Sequence, residues 1–147
     1  MQRFKYRLER VLQYRQFLEK KAMLHLAKLK QGYRSIEKRI GRLENKRLQV
    51  AEQCRNAGLQ GVDVSHYETY QSYLQKLKSD LAAAATELEE KAAAIHSQES
   101  VLKSETIKRK ALETHKENHW RTHREMTAKE EQKILDELVI RRQEVRV

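Results

Sequence analysis

The sequence predicts an all-α protein: a long antiparallel two-helix coiled-coil hairpin with a C-terminal helical overhang. Three observations carry that expectation. The 147 residues include no proline, four glycines and 35% charged side chains, a balance rich in Ala, Leu, Glu, Gln, Lys and Arg that favours long helices over a compact core. Apolar residues return at alternating steps of three and four, the period of a helix that turns one seam toward a partner. A single strong turn signal divides the chain.

Helix one is expected over about residues 3–57. Its seam reads Ala22, Leu26, Leu29, Tyr33, Ile36, Ile40, Leu43, Arg47, Val50, Cys54 and Ala57. Upstream, Phe4, Leu8, Val11, Leu12 and Leu18 continue the stripe, slightly rotated, and Arg15 and His25 interrupt it. The break follows over about residues 58–64, in Asn56-Ala57-Gly58-Leu59-Gln60-Gly61-Val62-Asp63-Val64. Gly58 suits the left-handed residue that ends a helix. Ser65 followed by Glu68 reads as a capping box that starts the next one.

Helix two is expected over about residues 65–144, so the chain forms one hairpin domain over 1–147. Its seam restarts at Tyr67 and Tyr70, continues through Leu74, Leu77, Leu81, Ala84 and Leu88, and reaches Ile95 and Leu102. The alanines at 82–85 and 92–94 allow close approach and favour helix. Between about 103 and 119 the stripe turns polar, then resumes with Trp120, Thr127, Ile134 and Leu138. A short turn between long helices forces them antiparallel. With the turn near residue 61, facing residues have numbers adding to roughly 122, by elementary hairpin geometry. Helix two then overhangs helix one by roughly 25 residues, or ~37 Å. An amphipathic overhang with nothing in the chain to cover it implies a partner.

Several function classes are set aside by the residues present. Four scattered glycines supply no phosphate-binding or dinucleotide fingerprint, and a two-helix hairpin has no concavity in which to shield a reaction. No enzyme activity and no cofactor are expected. The N-terminus is basic without an apolar run after it, unlike a secretory signal, and no stretch is apolar for the ~18 residues that a membrane span needs. One cysteine, Cys54, rules out an internal disulfide and fits a reduced compartment. It reads as a small seam residue.

Three clusters remain. His115, His119 and His123 stack at i, i+4 and i+8, a spacing whose pairs can chelate zinc or nickel. The missing cysteine and the placing of Glu117 and Glu125 on other faces favour a solvated or partly paired polar face, with no metal site. Near the turn, Tyr67 and Tyr70 follow the seam, while Tyr73 falls off it beside Leu77. An exposed aromatic next to a leucine suits protein docking. Charge is the third. Residues 1–50 hold 15 Lys and Arg against four Glu, and residues 51–147 hold 16 against 17 Asp and Glu. The basic face of Arg34, Lys38, Arg39, Arg42, Lys46 and Arg47 can meet an acidic protein surface or follow a phosphate backbone. It lacks interleaved aromatics for stacking single strands and any groove-reading module, so no specific nucleic acid is expected.

The opening Phe4-Lys5-Tyr6-Arg7-Leu8-Glu9-Arg10-Val11-Leu12, the Tyr70-Gln71-Ser72-Tyr73-Leu74 of helix two, and the closing Glu131-Gln132-Lys133-Ile134-Leu135-Asp136-Glu137 with Arg141-Arg142 resemble the FliJ family. The resemblance extends over essentially the whole chain. It implies a flagellar type III export component, similar to the stalk of rotary ATPases. Such a protein binds a hexameric, FliI-like export ATPase, promotes its assembly, and contacts a FlhA-like export gate protein and export chaperones. It would sit in the cytoplasm, peripheral to the inner membrane and touching the membrane only indirectly. The family's gate-binding face maps onto Leu43, Tyr73 and Leu77; positions where some members carry helix-one tyrosines are Lys46 and Val50 here. The end that holds both termini is expected to enter the ATPase ring through Phe4, Leu8, Val11, Leu12, Leu135 and Leu138. The equivalent stalk of a virulence secretion system, or a basic coiled coil on nucleic acid, is the alternative reading.

Overall fold

The computed structural model describes residues 3–146. Two helices make up nearly all of it: α1 over Glu9–Leu59 and α2 over Val64–Val145. They pair antiparallel as a helical hairpin, and the described residues include no strand. Helices of this length are not held by propensity alone; an apolar face must be packed against a neighbour.

Helix α1 starts at Glu9, later than the expected residue 3. Residues 3–6 are outside any helix and residues 7–8 form a turn. The Glu9 N–H donates to the Tyr6 carbonyl at 3.2 Å and the Leu12 N–H to the Leu8 carbonyl at 2.9 Å. A tight first turn thus carries the chain into the helix.

The turn between the helices differs from its expected chemistry in two places. Gly58 stays helical, and the left-handed residue is Gly61, with φ of 77°. The Gln60 N–H still reaches the Asn56 and Ala57 carbonyls, both at 3.2 Å, so the last turn tightens past Gly58 and the glycine just beyond it ends the helix. Helix α2 then begins at Val64, one residue before the expected cap. The Asp63 carbonyl accepts the first intrahelical bond, from the Tyr67 N–H at 3.1 Å, which puts Asp63 at the N-cap. Ser65 lies inside the first turn, where its carbonyl accepts from the Thr69 hydroxyl at 3.0 Å. The predicted Ser65–Glu68 box is therefore displaced by an aspartate, whose charge also suits the helix N-terminus.

The chain divides into two compact units, each built from one stretch of α1 and one of α2. The central unit spans Ala22–Val101. Its core takes Ala22, Leu26, Ile36, Val50 and Cys54 from α1, and Leu77 and Ala84 from α2. Ala84, at 1% exposed, is the most buried of these. His25, expected to interrupt the seam, is exposed, and Leu26 beside it is buried. Across the pair, Arg39 binds Glu87, and the Gln98 side-chain amide donates to the Ala22 carbonyl at 3.2 Å.

The terminal unit combines Met1–Lys21 with Leu102–Val147. Leu12, 3% exposed, is its most buried apolar side chain. Beside it the polar stretch of α2 is completed by charges from α1. Arg15 lies 3.8 Å from Glu105, Glu19 binds Arg109, and Lys116 lies 2.7 Å from Glu9. Hydrogen bonds that Arg109 donates to Glu113 and then to Glu19 raise its pKa above the ordinary value, so the guanidinium stays charged. The facing pairs bracket the expected register: residue numbers add to 118 for Tyr6 with Leu112 and to 128 for Glu19 with Arg109.

Candidate functional site

Partner-binding surfaces are best judged by what each side chain already touches. Near the turn, the residues of the central unit rearrange the expected tyrosine face. Tyr70 and Tyr73 are half-buried, whereas Tyr67, placed in the seam by its spacing, is 50% exposed. Tyr67 sits in the first turn of α2, opposite the last turn of α1, where little of the facing helix is left to cover it. Tyr73 carries the Lys46 ammonium over its ring at 5.9 Å from the centroid. That cation–π contact fixes the ring against α1.

Of the residues mapped to gate binding, Leu43 and Tyr73 are half-buried and Leu77 is 3% exposed. Leu43 lies in a shallow depression with Arg39, Asp80, Ala83, Ala84 and Glu87. The three residues are drawn to one stretch of the helix pair, but they do not form one exposed patch. Leu77 is core.

In the terminal unit the residues mapped to the ATPase ring separate into two groups. Leu12 is buried, Phe4 and Leu8 are half-buried, and Val11 is largely open. Leu135 and Leu138 lie on a different part of α2, where every residue of 128–146 is exposed. Phe4 packs on His123, with ring centroids 5.5 Å apart; Leu135 is twelve positions further along α2, or ~18 Å at the helical rise.

The contact that the sequence reading missed is the one made by residues 3–6. Phe4 and Tyr6 lie along the histidine ladder of α2. The Tyr6 hydroxyl is 2.7 Å from His115 Nδ1 and 3.3 Å from the Leu112 carbonyl. Its ring stands edge-on to His119 at 6.3 Å, and Lys116 Nζ lies 6.0 Å from its centroid. The rings of His115 and His119 lie 4.4 Å apart, tilted by 42°. The imidazoles are thus a track for an extended segment. Among the described residues, no three His, Cys, Asp or Glu converge as a metal-binding group.

A tyrosine whose hydroxyl bridges a ring nitrogen and a carbonyl should be felt when the oxygen is removed. Tyr6→Phe is expected to cost about 1 kcal/mol, the worth of one partly exposed hydrogen bond. Hydrogen exchange at the amides of residues 9–12, measured on the wild type and the variant, checks this: protection there should fall while that of residues 70–90 is unchanged.

Beyond Thr127, α2 holds large apolar side chains open to solvent among its charged ones. Ile134, Leu135, Leu138, Val139, Ile140 and Val145 are 55–87% exposed. Six large apolar side chains thus stand open to solvent in one short segment of helix. Among the described residues, no helix is long and apolar enough to cross a membrane.

Neither the curated proteins nor the solved structures gave a match for this chain. A family model did: the one described as flagellar FliJ protein matches residues 4–146. That span takes in the Phe4–Tyr6 segment, both helices, the Gly61 turn and the exposed α2 segment alike, and FliJ proteins are non-enzymatic components related to flagellar export. The chain belongs to the FliJ family.

Proposed function

We propose that this protein is the stalk-like component of a flagellar type III export apparatus, acting by binding and with no catalysis of its own. It joins the hexameric export ATPase, promotes its assembly, and links it to the export gate and to substrate chaperones at the cytoplasmic side of the inner membrane. The single observation that carries the ATPase part is the uncovered apolar segment of α2 from Ile134 to Val145. Exposed leucines there have no intramolecular use, and burying them on a partner supplies about 25 cal/mol per Å² of apolar surface.

Leu135 and Leu138 are the ring-binding residues that this reading favours, with Val11 as the exposed member of the N-terminal set. Phe4, Leu8 and Leu12 act by holding residues 3–12 on α2. For the gate, Tyr73 and Leu43 offer partly open surface, and Leu77 supports them from beneath. Chaperone binding has no residues assigned to it.

The test is a double substitution, Leu135→Glu with Leu138→Glu, at positions where the fold has nothing to lose. ATPase stimulation and ring assembly, followed by activity and by light scattering, are expected to fall about tenfold or more. Far-UV circular dichroism should be unchanged. Undiminished stimulation would remove the exposed α2 segment from the ring-binding surface.

A further inference from the structure

We propose that residues 130–146 of α2 form an antiparallel homodimer contact with the same segment of a second copy. The inference begins from the charge order around the apolar stripe. Glu130, Glu131, Asp136 and Glu137 precede Leu138, and Arg141, Arg142 and Arg146 follow Val139. A helix that is acidic in its first half and basic in its second repels a parallel copy and attracts an antiparallel one.

The pairing can be followed residue by residue. With a two-fold axis between Leu138 and Val139, Leu138 faces Val139 of the second copy. Moving outward, Leu135 faces Arg142 and Glu131 faces Arg146. At about 100° per residue, Glu131, Leu135, Leu138, Val139, Arg142 and Arg146 all lie within about 50° of one line along the helix. These residues form a single face, and the depression along it is lined by Leu135, Leu138, Val139 and Val145 together with the arginines Arg141, Arg142 and Arg146. Asp136 and Arg141 lie about 110° to either side of that line, so in the two-fold pair they stand on opposite flanks and form no ion pair with each other.

Two charges run against the order, Lys133 and Glu144. The same helical spacing puts both on the opposite side, about 170° from the line. Neither opposes the contact. The Arg142 stem covers Leu135 while its guanidinium remains in water. An isologous contact repeats every ion pair twice, so two Glu131–Arg146 pairs close the ends of one apolar centre. The overlap is about 16 residues, ~24 Å of helix, a size that belongs to weak and transient interfaces. Dimerisation is expected in the range of about 10–100 μM.

The experiment is sedimentation velocity on the full chain from about 1 to 300 μM, a span chosen to bracket that range. Concentration-dependent formation of a dimer is the expected result. Glu131→Arg alone and Arg146→Glu alone should each weaken it by about tenfold, because two pairs become two repulsions. The two substitutions together should restore it to within about threefold. A chain that stays monomeric throughout overturns the proposal. So does a dimer indifferent to the single reversals, or single losses that the double reversal does not rescue. No ATPase is present in this assay, so its outcome is separate from that of the ring-binding test on the same stripe.

Discussion

Leu77→Ala is expected to destabilise the helix pair by about 2–4 kcal/mol, the cost of removing a buried leucine and leaving a space that two long helices cannot close. Leu77 is 3% exposed, and the register puts it opposite the α1 stretch between Leu43 and Val50. Urea unfolding followed by far-UV circular dichroism measures the loss as a shift in midpoint at unchanged slope. The same variant separates packing from recognition. Tyr73 shows partial exposure, so Tyr73→Ala is expected to weaken gate binding about tenfold with little loss of stability. At a temperature where both variants are folded, Leu77→Ala should keep its gate affinity within about threefold of the wild type. Equal affinity losses in the two would show instead that Leu77 meets the gate directly.

The hairpin was legible because a buried helix face leaves a period in the sequence. The alternating steps through Leu26, Ile36, Val50 and Cys54 located α1's buried side, and the glycine-bearing break located the turn within a few residues. Register followed from turn position alone. What the period cannot report is a contact made by a segment that is not helical. Phe4 and Tyr6 lie on His123, His119 and His115, and the two sides of that contact are more than a hundred residues apart. Spacing on one side gave a histidine ladder without its purpose. The pattern of aromatics at 4 and 6 against imidazoles at 115, 119 and 123, taken with the expected register, was the available signal.

Helix ends were legible in kind but not in place. Gly58 and Gly61 both satisfy the chemistry of a helix terminator, as Asp63 and Ser65 both satisfy that of a cap. Which one is used depends on where the two seams come into phase. The same phase decides that Tyr73 is turned inward and Tyr67 outward. For the candidate sites, exposure was the quantity out of reach: Leu12, Leu77, Leu135 and Leu138 look alike as apolar residues at helical spacing, yet the first two are core and the last two are open.

The polar stretch of α2 gives the second large effect. Arg15 stands in α1's seam and faces Glu105, whose side chain is 16% exposed. At 3.8 Å the pair is an ion pair without a hydrogen bond, and Glu105 Oε2 finds no hydrogen-bond partner among the described residues. Lys108, 3.6 Å from the other oxygen, shares the charge from the solvent side. Arg15→Leu removes the seam cation and leaves a largely buried carboxylate facing an apolar side chain; the expected cost is about 2 kcal/mol, reduced from that of a fully buried pair by Lys108 and partial exposure. Replacing both partners, Arg15→Leu with Glu105→Leu, should recover this loss and exceed wild-type stability by about 1 kcal/mol, since desolvating two charges opposes what their attraction supplies. Urea midpoints of the three chains check both numbers. An apolar seam at this layer would also loosen the choice of register, because a mispaired Arg15 or Glu105 is what penalises a shifted hairpin. Disulfide trapping between cysteines placed at 12 and 112 would then give a mixture of registers in the double variant and one in the wild type. A double variant less stable than Arg15→Leu alone would mean that the charged layer holds the pair together as well as in register.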